Sequence, residues 1–402
     1  MRGSQVHLIG MTALAGVIST LAGCQSAPKQ DAPLLFFPAP PAAPRVQFLT
    51  FASGAEEVEP SRGSFEEFIL GEEPAVQRLI NKPYGIAARD GVVYVCDTKG
   101  LCICRLDFKN RRYSTFGHQG PGRLRKPINV AMDPLGYKFV ADPERKQVVV
   151  FGPEDEYVTA FDVPQPCRPV DVAVHGNEVY VLDNDESCQV VVMDRRSGEV
   201  IRTFGGPGGE PGQFKIPNSL CVDDEGFVYV SDTHNWRMQK LTSEGEAIWV
   251  KGAPGYTLGR FGRPRGIRVG PDGIIYVVDG ATEIVQMFNP EGQTLMRFGG
   301  PGNVPGALGL PSTVAIDKTS IPYFQEYIHE DFDVDYLLFV ISQYGRHLVS
   351  VYAFGAFPEG YKLEETMVAS LPEIPDDLGI GPAGSDVAPA FESQESPTPT
   401  TE

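Results

Sequence analysis

The stretch FKIPNSLCVDDEGFVYVSDTHNWR, residues 214–237, contains the pattern that decides the fold. A proline opens a short apolar segment, a turn rich in Asp and Gly follows, and a second apolar segment ends in Asp232. These segments are β-branched and aromatic and lack a 3.6-residue period, so they predict strands and not helices. The turn between them is typical of antiparallel pairs, so the stretch predicts a β-hairpin.

The same pattern recurs along the chain. The anchor prolines, which open the repeats, are spaced by 44, 42, 48, 47 and 47 residues: Pro83, Pro127, Pro169, Pro217, Pro264 and Pro311. A period in this range indicates a propeller or a solenoid. Each repeat holds four short strands separated by turns, which is the composition of a propeller blade. The sequence therefore predicts an all-β fold, a six-bladed β-propeller with four antiparallel strands per blade.

The fourth repeat has the fullest motif, with Phe214-x-x-Pro217, then Gly226-x-Val228-Tyr229-Val230-x-Asp232, and then Asn235-x-Arg237. On this motif, the chain from about residue 79 to residue 354 resembles the NHL-repeat family of six-bladed propellers. Other repeats keep the Pro, the Tyr-Val or its equivalent and the Asp, but the sixth has Ser342 in place of the Asp. The resemblance implies the fold and no particular activity, because the family's repeat residues mainly build the blade.

The recurring Asp at the end of the second strand is interpreted as structural. It stands at Asp97, Asp142, Asp183, Asp232 and Asp279. Because the same residue type recurs in five blades, we expect it to make the same stabilising hydrogen bond in each of them. Arg237 is likewise predicted to pair within its own blade.

The ring also has to close. Residues 45–51, RVQFLTF, have β character and precede the first repeat. We predict that they add the fourth strand to the last blade, which would cover two free strand edges.

Residues 1–23 are predicted to be a signal peptide. They hold Arg2, an apolar run from Leu8 to Leu21 that is too short to span a bilayer, and a small-residue end before Cys24. The ending resembles a bacterial lipobox, which implies lipidation of Cys24 and attachment to a membrane. Gln25 in the next position implies the outer membrane by the same resemblance. The alternative is a plain secretory signal followed by an incidental cysteine.

The remaining boundaries follow from composition. Residues 24–44 contain six prolines and are predicted to form a semi-rigid linker, residues 45–356 the propeller, and residues 357–402 an acidic, largely disordered tail. The chain has a formal net charge of −18, and from Glu359 to Glu402 ten acids face Lys362 alone. Such an acidic chain is not expected to bind nucleic acid.

Six cysteines follow Cys24, in a compartment that permits disulfides: Cys96, Cys102, Cys104, Cys167, Cys188 and Cys221. Fifteen pairings are possible for six cysteines, and Cys167 with Cys188 would lie within one blade. Cys102 and Cys104 share one side of a strand and amount to half of a metal site. The other interpretation is that these cysteines are small buried apolar residues.

Candidate ligand-binding residues follow the anchor prolines, where the inner strands begin and should line the mouth of the central channel. This set differs between blades, as a binding site should. The predicted site residues are Asn129, Asp171, Asn218, Ser219, Arg265 and Thr313. Asn129, Asp171 and Asn218 offer oxygen ligands for a divalent cation such as calcium, and the sequence indicates no other cofactor.

Two classes of propeller enzyme use residues that differ from this set. Gluconolactonase-like propellers hold a divalent metal in such a mouth, but this chain has no Glu in the set and adds Arg265. The peptide-amidating lyase, another NHL-type propeller, uses histidine-bound zinc. The histidines after residue 24 do not recur at one structural level: His118, His175, His234, His329 and His347. No catalytic residue is therefore assigned.

The sequence thus favours a binding or scaffold module over an enzyme. The expected partner is a protein, peptide or glycan of the bacterial cell envelope, held by a propeller that is attached to the membrane through Cys24. A metal-dependent lactonase-like hydrolase or an amidating-lyase-like enzyme is the alternative.

Overall fold

A computed structural model describes residues 34–39, 41–60, 78–361 and 363. The predicted signal peptide, Cys24 and nearly all of the predicted tail lie outside these residues. Within them, no helix is both long and apolar enough to cross a membrane. The regular structure of the described part is β-strand, with a few single 3₁₀ turns.

Two strands precede the repeats, β1 (Leu35–Phe37) and β2 (Val46–Ala52). Blade 1 consists of β3 (Pro83–Arg89), β4 (Val92–Asp97), β5 (Cys102–Asp107) and β6 (Arg112–Phe116). Blade 2 consists of β7 (Asn129–Met132), β8 (Lys138–Asp142), β9 (Gln147–Phe151) and β10 (Tyr157–Asp162). Blade 3 consists of β11 (Pro169–His175), β12 (Glu178–Asp183), β13 (Gln189–Asp194) and β14 (Val200–Gly205).

Blade 4 consists of β15 (Ser219–Val222), β16 (Val228–Asp232), β17 (Arg237–Leu241) and β18 (Ala247–Lys251). Blade 5 consists of β19 (Pro264–Val269), β20 (Ile275–Asp279), β21 (Ile284–Phe288) and β22 (Thr294–Gly299). Blade 6 contains β23 (Pro311–Asp317), β24 (Asp333–Ser342) and β25 (Val349–Ala356). Each of the six sheets is antiparallel, which confirms the predicted six-bladed propeller.

Blade 6 is completed from the other end of the chain. Strand β2 pairs with β25, with Val46 opposite Phe354 and Ala52 opposite Val349, as predicted for residues 45–51. The prediction that residues 24–44 form only a linker is wrong in one part, because β1 adds a fifth strand by pairing with β2. Leu35 and Phe36 are buried, and this apolar burial outweighs the polyproline tendency of the flanking prolines.

The repeated aspartate holds each blade to the loop that leads into it. Asp142, for example, accepts hydrogen bonds from the backbone N–H groups of Arg125 (2.7 Å) and Lys126 (3.1 Å), just before an anchor proline. In blade 6 the hydroxyl of Ser342 accepts the bond from Gly309 instead. The side chains of all five aspartates are buried. The structural interpretation of this residue is confirmed.

Two faces of the ring follow from the strand directions. Inner strands begin at the upper face, which is formed by the connections between blades and by the turns from second to third strand. The lower face is formed by the turns from first to second and from third to fourth strand. The core lies between neighbouring blades, where the β-branched residues of the strands pack. Near the axis the inner strands of neighbouring blades approach closely. At Gly85 this approach requires glycine, because a Cβ there would collide with the backbone of Asn129.

Candidate functional site

Three of the predicted site residues come together in one buried network. The amide of Asn129 donates to Asp171 Oδ1 at 2.6 Å, and the hydroxyl of Ser219 donates to Asp171 Oδ2 at 2.6 Å. Arg268 completes the network, with one terminal nitrogen 2.9 Å from Ser219 Oγ and 3.4 Å from Asp171 Oδ2. The network joins the inner strands of blades 2, 3, 4 and 5. It therefore ties neighbouring blades together.

The network does not fit a cation. Asp171 also accepts the backbone N–H groups of Val172 (2.8 Å) and Leu220 (2.9 Å), so both of its oxygens already have donors. The side-chain oxygen Oδ1 of Asn129 accepts the backbone N–H of Val130. A calcium ion would need these same oxygens and would meet the guanidinium of Arg268. We therefore assign no role in binding calcium to this group.

The other predicted residues lie around the central channel. The hydroxyl of Tyr84, in blade 1, is 3.1 Å from the amide nitrogen of Asn218, which directly precedes β15 of blade 4. These blades are opposite each other in a ring of six, so this contact crosses the channel. The guanidinium carbon of Arg265 lies 5.0 Å from the centre of the Tyr84 ring. Tyr84, Asn218 and Arg265 together obstruct the channel at the level where a ligand was expected.

Arg265 is a buried cation that has no anionic partner among the described residues. Only 3% of it is exposed, its one hydrogen bond reaches the carbonyl of Pro311 at 3.4 Å, and its Nε has no acceptor among the described residues. The hydroxyl of Thr313 is also buried without a partner there. Ser312, beside it, donates to the carbonyl of Tyr84 at 2.6 Å. These residues face the axis and do not form a metal-binding set.

The cysteine thiols of the described residues are buried and form no disulfides. All six cysteines of the described chain are free, so the bond between Cys167 and Cys188 that the sequence allowed is not formed. Burial raises the pKa of the Cys221 thiol to about 12. A thiol with this pKa is protonated at neutral pH and behaves as a small apolar residue.

Cys102 and Cys104 lie near Asp97, with the ligand atoms of the three within 4.8 Å of one another. This is the only cluster of three or more His, Cys, Asp or Glu at metal-binding distance among the described residues, and it contains no histidine. Asp97 already accepts N–H groups on both oxygens, including those of Gly100 and Asn81 at 2.7 Å. Burial raises the pKa of that carboxyl, but these donors more than compensate, so its pKa lies below the usual value. The carboxylate oxygens of Asp97 are therefore already engaged in hydrogen bonds that stabilise the blade.

An open cleft lies elsewhere on the upper face, between blades 1 and 2. It has a volume of about 700 Å³ and is lined by Arg123, Arg125 and Arg145, with Leu101 and Leu124 beside them. The cleft was missed from the sequence. Its signal was the run GRLRKP, residues 122–127, in which three of four successive residues are basic in an acidic chain.

The three arginines of the cleft differ in how they are held. Arg145 is fixed, because it donates to the carbonyl oxygens of Pro121 (2.8 Å) and Arg123 (2.7 Å) and to Gln147 Oε1 (2.8 Å). These acceptors are neutral and leave its charge in place. Arg123 and Arg125 are exposed, and in the described part of the chain their side chains have no hydrogen bond or ion pair. The cleft thus presents guanidinium groups that carboxylates do not neutralise.

The fold and one repeat are shared with known proteins. A sequence profile of the NHL repeat matches residues 214–241. A solved protein of unknown function from Bacteroides thetaiotaomicron is similar over 77% of this chain and 75% of its own, at 16% identity and a TM-score of 0.54. The chain therefore carries an NHL repeat within a six-bladed propeller.

Two further structures of known proteins are similar. Regucalcin, a calcium-binding protein from Agrobacterium tumefaciens, is 14% identical over 71% of this chain and 95% of its own, with a TM-score of 0.49. Virginiamycin B lyase from Staphylococcus aureus is 12% identical over 70% of this chain and 86% of its own, with a TM-score of 0.47. At such identities the likeness concerns the fold, and function has to be argued from the residues of this chain.

Proposed function

We propose that the protein is an exported, lipid-tethered binding module of the bacterial cell envelope, attached at the outer membrane through Cys24. Its propeller holds a protein, peptide or glycan partner on the upper face. The observation that carries this proposal is the uneven distribution of charge between the two faces of the ring.

The upper face is basic although the chain is acidic. In its described segments thirteen Lys and Arg stand against eight Asp and Glu, whereas the turns of the lower face hold five Lys and Arg against sixteen Asp and Glu. The thirteen are Arg78, Lys82, Lys99, Arg123, Arg125, Lys126, Arg145, Lys146, Arg168, Lys215, Arg260, Arg263 and Arg346. The electric field of this charge distribution attracts anionic partners to the upper face and repels them from the lower face.

Exposed apolar side chains accompany the positive charge. Trp236, Tyr256 and Tyr344 stand on upper-face loops and are 42%, 48% and 58% exposed. Aromatic residues together with arginine are the types enriched in protein interfaces, because they contribute large contact areas. The upper face therefore supports binding through charge and apolar contact together.

Site-specific photo-crosslinking in the native host tests the proposal. A photoreactive amino acid at Tyr256 or Tyr344 should give a discrete adduct, and mass spectrometry should identify the same partner at both positions. The matched control is Leu135, which is exposed on a lower-face turn and should give no such adduct. Equal adducts at Leu135, or none at the two tyrosines, would refute a binding role of the upper face.

A further inference from the structure

The cleft between blades 1 and 2 has the size and chemistry of a small-ligand site. Its volume of about 700 Å³ lies within the range of about 300 to 1,000 Å³ that is usual for small-molecule pockets. A flat protein interface would not need such a concavity. The cleft is therefore distinct from the exposed aromatic residues on the rest of the upper face.

The backbone of the cleft is fixed by the blade itself. The N–H groups of Arg125 and Lys126 bind Asp142, and the N–H of Leu124 bonds to the carbonyl of Gly117 at 2.8 Å. Leu124 is buried at the floor. A fixed loop holds the arginine Cα positions before any ligand arrives, which lowers the entropic cost of binding.

The charge around the cleft remains positive after its acids are counted. Asp142 is buried and its oxygens are taken by backbone N–H groups, including that of Arg145. Glu144 lies 3.5 Å from Lys126 at the rim, and Asp162 accepts from Gln147. Neither Glu144 nor Asp162 pairs with Arg123 or Arg125. A ligand that enters the cleft therefore meets unpaired guanidinium groups.

We infer that this cleft binds a small dianion, a phosphate compound or a compound with two neighbouring carboxylates, whose apolar part contacts Leu101 and Leu124. Guanidinium groups bind phosphate and carboxylate in bidentate geometry, which lysine cannot reproduce. The inference deepens the proposed function, on which it rests, by naming the ligand class that one part of the upper face recognises.

Calorimetric titration of the purified full chain tests the inference with two probes, phenyl phosphate and phthalate. Saturable binding with one site is expected for at least one probe, and the better probe shows whether phosphate or carboxylate is preferred. The double variant Arg123→Ala, Arg125→Ala should weaken that binding about tenfold or more. Its melting temperature should be unchanged, because both side chains are exposed and unpaired.

The matched control is Arg260→Ala with Arg263→Ala, which removes the same charge from exposed loop positions of the same face. It should weaken binding by less than about twofold, since these positions contribute only to the general field. A third variant, Arg123→Lys with Arg125→Lys, keeps the charge and should still lose affinity.

Two outcomes would overturn the inference: no saturable binding of either probe, or equal losses in the two alanine variants. Failure of this site is distinguishable from failure of the proposed function. If the cleft binds neither probe while Tyr256 and Tyr344 still crosslink to one partner, the binding role of the upper face is retained and only the small-ligand site is rejected.

Discussion

Asp171 is a carboxylate of the channel region whose oxygens are used by hydrogen bonds within the ring. Its two oxygens accept hydrogen bonds from the side chains of Asn129 and Ser219, and Arg268 lies beside them. Because these residues come from different blades, the group acts as a polar tie around the axis. Removing one member takes a partner from buried polar atoms of the others, which costs more than the hydrogen bond itself contributes.

We expect Asp171→Ala to lower the free energy of unfolding by about 3 to 5 kcal/mol, because Arg268 and the hydroxyl of Ser219 lose a buried acceptor. Urea unfolding followed by circular dichroism measures this loss. Asp224→Ala, at an exposed acid of a lower-face turn, should change stability by less than about 0.5 kcal/mol. A loss under about 1 kcal/mol for Asp171→Ala would contradict the structural role and return this residue to the ligand candidates.

The closing strands are the elements on which the ring depends. Strand β2 covers the edge of β25, and β1 in turn covers the edge of β2. Phe36 of β1 packs against Phe332 and Phe357, with ring centres 5.5 and 5.3 Å apart. The short strand β1 is thus held by its side chains as well as by its ladder.

We expect Phe36→Ala to cost about 3 to 5 kcal/mol of unfolding free energy, because it removes a fully buried ring. Chemical denaturation measures the loss, and limited proteolysis should show faster cleavage near residue 40. Tyr157→Ala, in the outer strand of blade 2 where the ring is 37% exposed, is the control and should cost much less. Similar losses for both would mean that β1 does not contribute to closure.

How far the sequence predicts these features depends on how local their causes are. The anchor prolines, the repeated Asp and strand β2 were predictable, since each repeats a short pattern or has a clear strand composition. Strand β1 was missed because six prolines in residues 24–44 masked the apolar run at Leu34 to Phe37. The contact between Tyr84 and Asn218 joins opposite blades, and no periodicity reports which side chains meet across an axis.

At the scale of the molecule, the propeller separates its charges. In the described loops, Lys and Arg are concentrated on the upper face and most of the acidic turns lie on the lower face. The ten acids between Glu359 and Glu402 add to the negative charge at the C-terminal end of the sequence. A protein whose charges are separated in this way is oriented by the electric field of a charged surface.

Cys24→Ser should move the protein from the membrane fraction to the soluble fraction, because each buried CH₂ of an attached lipid contributes about 0.8 kcal/mol to membrane affinity. Cell fractionation and labelling with a palmitate analogue measure the change. Gln25→Ser, next to the modified residue, is the control and should leave the protein labelled and attached to a membrane. Unchanged fractionation of Cys24→Ser would show that lipid on this residue is not the tether.

Strand β1 also determines how the ring would respond to a pulling force. Tension applied through the N-terminal end of the described chain reaches β1 before any blade. This strand pairs with β2 through three residue pairs, and no other strand of the described residues pairs with its outer edge. A load therefore peels the pairs one after another instead of shearing them together. The β1–β2 pairing is thus the part of the closure that yields first, and a pull from the N-terminal side would release β1 before it strained the other four strands of the blade 6 sheet.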